Sequence, residues 1–217
     1  MKKNIKILLL LTAILFAVLT GCSVNGGIVN EQEDSPWEIS PDTESQVIEK
    51  EIDGIAFKFC LLNGQGEPAT VFREGENFRF YFSIVNKTDE NLFFIPDFAQ
   101  AEKNGFCEVF TSNKQSIGKP FVFRGVDLIG IGAYPFKPEE SCVFDLSWVD
   151  SRDSVWRWKY GYYESNRQIP LPEGDYFTEF QSRFQFEKEG SNYLNSKDSP
   201  YNYLDSILIF KINFKIQ

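Results

Sequence analysis

Five stretches of the chain alternate apolar and polar residues with a period of two, a pattern that leaves little room for anything but β-structure. Ile55, Phe57, Phe59 and Leu61 alternate with Ala56, Lys58 and Cys60, and Phe78, Phe80, Phe82 and Ile84 alternate with more polar neighbours. Cys142, Phe144, Leu146 and Trp148 repeat the pattern, and so do Tyr176, Thr178, Phe180, Ser182, Phe184 and Phe186. A fifth run carries Leu208, Phe210, Ile212, Phe214 and Ile216. Successive side chains of a strand point to opposite faces, so each run presents one apolar face. Shorter candidates lie at Leu92–Ile95, Phe106–Thr111 and Phe121–Arg124, with turn residues such as Asn63-Gly64, Asn104-Gly105 and Lys137-Pro138 between the runs. No amphipathic helix of convincing length interrupts them. Strands of this kind bury their apolar faces against one another, and the expectation is an all-β antiparallel sandwich.

The segment Leu171-Pro172-Glu173-Gly174-Asp175-Tyr176 adds a topological expectation. A Tyr just after a Pro/Gly turn at the start of a late strand is the trace of a tyrosine corner, whose hydroxyl bonds back to the preceding loop. Two further features accompany it: Phe78–Asn86 runs into Asn86-Lys87-Thr88-Asp89, and Lys137-Pro138-Glu139-Glu140 leads into Cys142–Trp148. Together they resemble the immunoglobulin-like domains of the bacterial intracellular proteinase inhibitor (BsuPI-like) family, over roughly residues 77–184. The resemblance implies an immunoglobulin-like β-sandwich. It rests on framework features and carries no inhibitory residue across, and the chain departs from the family in its leader and in a long insertion before Ile169.

Ahead of the domain, Lys2, Lys3 and Lys6 precede an apolar run from Ile7 to Leu19, the layout of a secretory signal peptide. The run is shorter than the twenty or so residues that a membrane-spanning helix needs. It ends in Leu19-Thr20-Gly21-Cys22, which resembles the lipobox of bacterial lipoproteins. That resemblance implies cleavage before Cys22, a diacylglyceryl group on its thiol and an acyl chain of the palmitate class on its new amino group. Two or three chains give stable anchoring where one does not. The expected organisation is a signal peptide over 1–21, a lipidated, disordered acidic tether over 22–50 and the sandwich domain over 51–217. The expected location is the bacterial cell envelope, with the protein lipid-anchored to the outer membrane or cell surface. The tether reading rests on Glu31, Glu33, Asp34, Glu38, Asp42, Glu44 and Glu49 among few apolar residues.

Composition removes several chemistries. With 22 basic and 31 acidic residues the chain has a formal net charge of −9, which repels nucleic acid. It contains no histidine, so neither a histidine base nor an imidazole-ligated zinc site is available. Asp145, Asp150, Asp153 and Glu164 lie near one another in sequence and would be the acid–base machinery of an enzyme, but spacing alone does not assemble them, and in a chain with 31 acidic residues a solvated acidic surface is the favoured explanation. The same aspartates could hold calcium through oxygen ligands, but no stretch matches the calcium loop of an EF-hand; no metal site and no cofactor is assigned. Besides Cys22 the chain has Cys60, Cys107 and Cys142. By parity Cys142 faces the core and Cys60 faces outward, which makes them poor disulfide partners; a Cys107–Cys142 bridge and buried thiols both fit. No enzymatic activity is expected.

The segment 150–169 holds the candidate binding residues. Trp156, Trp158, Tyr160, Tyr162 and Tyr163 crowd five aromatic rings into eight residues, interleaved with Arg157 and Lys159. Rings flanked by cations suit a glycan or protein ligand. The same alternation also fits an extra hairpin whose Trp156, Trp158, Tyr160 and Tyr162, all of one parity, cover the sheet. A second aromatic loop, with Tyr193, Tyr201 and Tyr203, is expected after the strand that ends near Phe186. The leading functional expectation is a membrane-anchored, noncatalytic binding or interaction module, of which a proteinase inhibitor is a special case. The alternatives are a structural or accessory subunit of an envelope assembly and, third, a carboxylate-based enzyme.

Overall fold

A computed structural model describes residues 35–95, 108–124, 133–149, 156–158, 161–189 and 202–217. Among the described residues there are fifteen strands and no helix: β1 (Trp37–Ile39), β2 (Val47–Ile52), β3 (Ile55–Leu62), β4 (Val71–Phe72), β5 (Arg79–Asn86), β6 (Leu92–Ile95), β7 (Val109–Thr111), β8 (Ser116–Gly118), β9 (Phe121–Arg124), β10 (Tyr134–Phe136), β11 (Ser141–Ser147), β12 (Trp156–Trp158), β13 (Gly161–Ser165), β14 (Gly174–Glu187) and β15 (Asn202–Ile216). One sheet runs β1-β15-β14-β6-β10, with β4 added to β15 and the pair β7-β8 added to β14. A second runs β11-β5-β3-β2, and a third, small sheet runs β12-β13-β9. All pairings are antiparallel except β1 and β4, which run parallel to β15. The expected all-β sandwich is the fold.

Alternation explains how the two large sheets meet. β14 and β15 pair from Gly174 opposite Ile216 to Phe186 opposite Leu204. This register brings the buried residues Tyr176, Phe180 and Phe184 of one strand against Phe214, Phe210 and Ser206 of the other. From the facing sheet come Phe57 and Phe59 of β3 and Phe82 of β5, all buried. Phe180 stacks on Phe210 at 4.8 Å, and both Phe59 and Phe82 meet Phe180 edge-on, at 5.2 and 5.3 Å. Offset and edge-to-face contacts are what the quadrupoles of packed rings favour.

The domain begins earlier than residue 51. β1 and most of β2 lie inside the stretch expected to be tether, and Trp37, Ile39 and Ile48 are core residues. Trp37 meets Phe210 edge-on at 5.1 Å. The seven carboxylates of this stretch masked two short strands, because three residues of WEI are too few to display a period. Residues 1–34, with the expected signal peptide and Cys22, lie outside the described residues.

Two connections are pinned as the turn residues require. The Tyr176 hydroxyl donates to the Pro172 carbonyl at 3.0 Å, which is the expected corner. Asn86, wholly buried, donates through Nδ2 to the carbonyls of Phe136 and Glu90 at 2.9 and 3.0 Å. Its Oδ1 accepts from the backbone N–H and the hydroxyl of Thr88. β15 starts at Asn202 rather than Leu208, so Tyr203 belongs to a strand and not to a loop; its hydroxyl donates to the Asp53 carbonyl at 2.8 Å. Tyr193 and Tyr201 lie outside the described residues.

Candidate functional site

The aromatic segment forms a sheet of its own. β12 and β13 pair antiparallel, with Trp158 opposite Gly161 and Trp156 opposite Tyr163. β13 then pairs with β9, Tyr163 opposite Phe123 and Tyr162 opposite Arg124. The register therefore sets Trp156, Tyr163 and Phe123 in one cross-strand row, and Arg157, Tyr162 and Arg124 in the next. Adjacent rows belong to opposite faces. This corrects the expectation of a single face for Trp156, Trp158 and Tyr162: even-numbered positions of β12 pair with odd-numbered positions of β13, so parity is exchanged between the two strands. Tyr163, not Tyr162, shares the face of Trp156. Tyr160 lies outside the described residues.

From β13 the chain passes into a strap, residues 166–170, that is tied down at several points. Asn166 Nδ2 and Gln168 Nε2 both donate to the Lys119 carbonyl, at 2.9 and 2.8 Å, and the Asn166 N–H donates to the Pro120 carbonyl at 2.8 Å. Gly118, with φ of +114°, lies where a Cβ would stand 3.0 Å from Gln168 Nε2, so a glycine suits both the backbone and the contact. The buried Trp148 indole donates to the Ile169 carbonyl at 2.8 Å. Ile169 itself is 75% exposed, an unusual position for an aliphatic residue on so well-tethered a segment.

The remaining candidate residues do not converge. Asp145 sits on β11 in the second sheet, 3.2 Å from Arg79, whereas Glu164 sits on β13 in the third, opposite Val122. Asp150 and Asp153 lie outside the described residues. Among the described residues no group of three or more His, Cys, Asp or Glu stands ready to hold a metal ion. Cys60 is wholly buried, contrary to the outward position expected from its parity, on the inner strand β3 between Val47 of β2 and Tyr81 of β5. Burial pushes its thiol up to about 11, with Glu49 and Asp145 acting in the same direction against Lys58, so it is not a nucleophile at neutral pH. Cys142 is buried in line with its parity, and Cys107 lies outside the described residues.

A shallow cleft of about 480 Å³ opens beside β14 and β15, lined among others by Pro41, Phe110, Lys114, Phe177, Glu179 and Lys211. Phe110 stacks on Phe177 at 5.0 Å, and the Lys211 ammonium lies 5.5 Å from the Phe177 ring centre while also pairing with Glu38 at 2.7 Å. These contacts come from cross-strand neighbours, which become visible when the register is known. No protein-family model matches the chain, and no curated protein matches it.

Proposed function

We propose that the protein is a bacterial envelope lipoprotein, held to a membrane by lipid on Cys22, whose immunoglobulin-like sandwich is a noncatalytic binding module akin to the BsuPI-like domains. The recognition element is the hairpin β12–β13 with Trp156, Trp158, Tyr160, Tyr162 and Tyr163, and the ligand is a protein or a glycan. The observation that carries this reading is the aromatic segment itself: of its five aromatic residues in eight, Trp156, Trp158, Tyr162 and Tyr163 lie on strands of a small sheet with its own pairings, separate from the hydrogen-bonded ladders of the two large sheets. The leader ending in Leu19-Thr20-Gly21-Cys22 supports the anchor.

Two measurements test the two halves. Cys22→Ser is expected to release the protein from membranes or to leave the precursor uncleaved, because a hydroxyl cannot take over the thioether; unchanged fractionation with an intact lipid mass rejects the anchor. Replacing Trp156 and Trp158 together by Ala is expected to abolish capture of the partner from envelope extracts, or binding on a glycan array, with little change in the unfolding midpoint. A loss of several kcal/mol in stability, as for truncated buried indoles, would instead make the hairpin a packing element.

A further inference from the structure

β2 is the outer strand of the second sheet and pairs with β3 alone. Along an antiparallel strand the N–H and C=O of one residue point to the same side, and that side alternates from residue to residue. Val47 directs both groups away from β3: its N–H donates to the Ser45 hydroxyl at 3.1 Å, and its carbonyl accepts from that hydroxyl at 2.7 Å. By the same alternation Glu49 and Glu51 turn theirs outward, and among the described residues nothing bonds their backbone on that side. Their side chains are exposed and share one face, opposite Lys58 and Ala56, whereas Ile48, Lys50 and Ile52 lie opposite the core residues Phe59, Phe57 and Ile55. Glu49 pairs with Lys58 at 3.0 Å. Glu51 has no cation in its row, which continues through Ala56 and Val85 to Ser141. β2 and the turns on either side of it carry Asp42, Glu44, Glu49, Glu51 and Asp53 against Lys50, whose ammonium lies 5.9 Å from the Trp37 ring centre. A groove of about 500 Å³ lies beside the strand, bounded among others by Pro36, Trp37, Val47, Ile48 and Lys50.

We propose that β2 accepts an extended segment of a partner protein as an added strand of the second sheet, with Lys or Arg of that segment opposite Glu49 and Glu51. The outward N–H and C=O groups of these two residues supply the ladder, and their carboxylates fix its register. The side chains that alternate with the cations are apolar and lie beside Ile48 and Ile52. Charge decides against a second copy of this chain. Antiparallel self-pairing keeps each face on its own side, so a register centred on Glu49, Lys50 or Glu51 sets Glu49 against itself, Glu49 against Glu51 or Glu51 against itself. The carboxylates thus guard the edge against its own kind and leave it open to a basic strand. β12 and β13 play no part in this contact.

The test titrates the full-length protein, in micelles of a neutral detergent, with a short end-capped peptide in which lysine alternates with valine. At saturation the amide exchange of Glu49 and Glu51 is expected to slow roughly tenfold, as their N–H groups gain carbonyl partners. A peptide of the same composition with its lysines in one block is expected to bind roughly tenfold more weakly, because it cannot set a cation opposite both carboxylates. Glu51→Lys, an exposed change, is expected to bring the alternating peptide down to the level of the block peptide, whereas Glu44→Lys, the same change of charge off the strand, leaves its advantage intact. Equal binding of the two peptides to the unaltered protein, or equal losses in the two variants, would reduce the effect to net charge and overturn the proposal. Binding that leaves the Glu49 and Glu51 amides unprotected also overturns it. So does protection of those amides that grows with protein concentration in the absence of peptide, which would make a second copy the occupant.

Discussion

Asn86 holds three stretches of chain with one side chain. Its amide satisfies the Phe136 and Glu90 carbonyls from a fully buried position, and its carbonyl oxygen organises the turn through Thr88. Truncating it leaves these groups without partners in a dry site, so Asn86→Ala is expected to cost about 2–4 kcal/mol in a denaturant titration with an unchanged slope. Tyr176→Phe removes a single hydroxyl bond to Pro172 and keeps the ring stacked on Phe214 at 5.7 Å. The expected cost is about 1 kcal/mol with the fold intact; a titration midpoint identical to that of the unaltered protein would show that the corner contributes nothing. These two residues also mark how far single positions could be read. Tyr176 was legible because its acceptor lies four residues away, within the same Pro/Gly turn. Asn86 reads as an ordinary turn residue, since the carbonyl it satisfies at Phe136 is fifty positions downstream.

At the scale of strands, edge strand β1 is tied to β15 by Glu38, whose carboxylate accepts from Lys211 Nζ at 2.7 Å and from Asn213 Nδ2 at 2.6 Å. The hydrogen bond from Lys211 is the largest influence and holds this carboxyl below its ordinary range; partial burial opposes it, and the Asn213 amide and the charge of Lys211 add to the lowering. A carboxyl depressed in the folded state contributes its stabilisation in full above the unfolded value and loses it as pH falls through the folded one. The protection of the Trp37–Ile39 amides, taken relative to their intrinsic exchange rate at each pH, is therefore expected to fall as the pH drops below the ordinary carboxylate value, and Glu38→Gln is expected to remove most of that dependence. The strands rich in alternating phenylalanine were legible because each displays its period several times. β1 was hidden by its length and by the carboxylates around it. The candidate site was legible as a composition but not as a pair of faces, because parity along the chain is exchanged at a hairpin, and the cleft beside Phe177 required a register that no local pattern supplies.

For the whole molecule, the position of β1 and β2 sets where the folding unit starts. A chain lacking residues 1–34 is expected to unfold at the same midpoint as the intact one, whereas removal of residues 1–50 takes away β1 and most of β2. The second truncation deletes the buried Trp37, Ile39 and Ile48, at about 1.5–3 kcal/mol each, together with the ladders they anchor. That approaches the total stability of a typical domain, so circular dichroism and thermal melting are expected to show no cooperative transition. β15 has a further consequence. It pairs with β1, β4 and β14, and it places Phe210 at the centre of the aromatic core, yet it follows every other described strand in the chain. During synthesis β1 and β4 thus lack their partner in the first sheet until residues beyond Asn202 have emerged, and β1 waits for a neighbour more than 170 positions downstream. A nascent chain of this design stays open while it is made and closes late, in one long-range step.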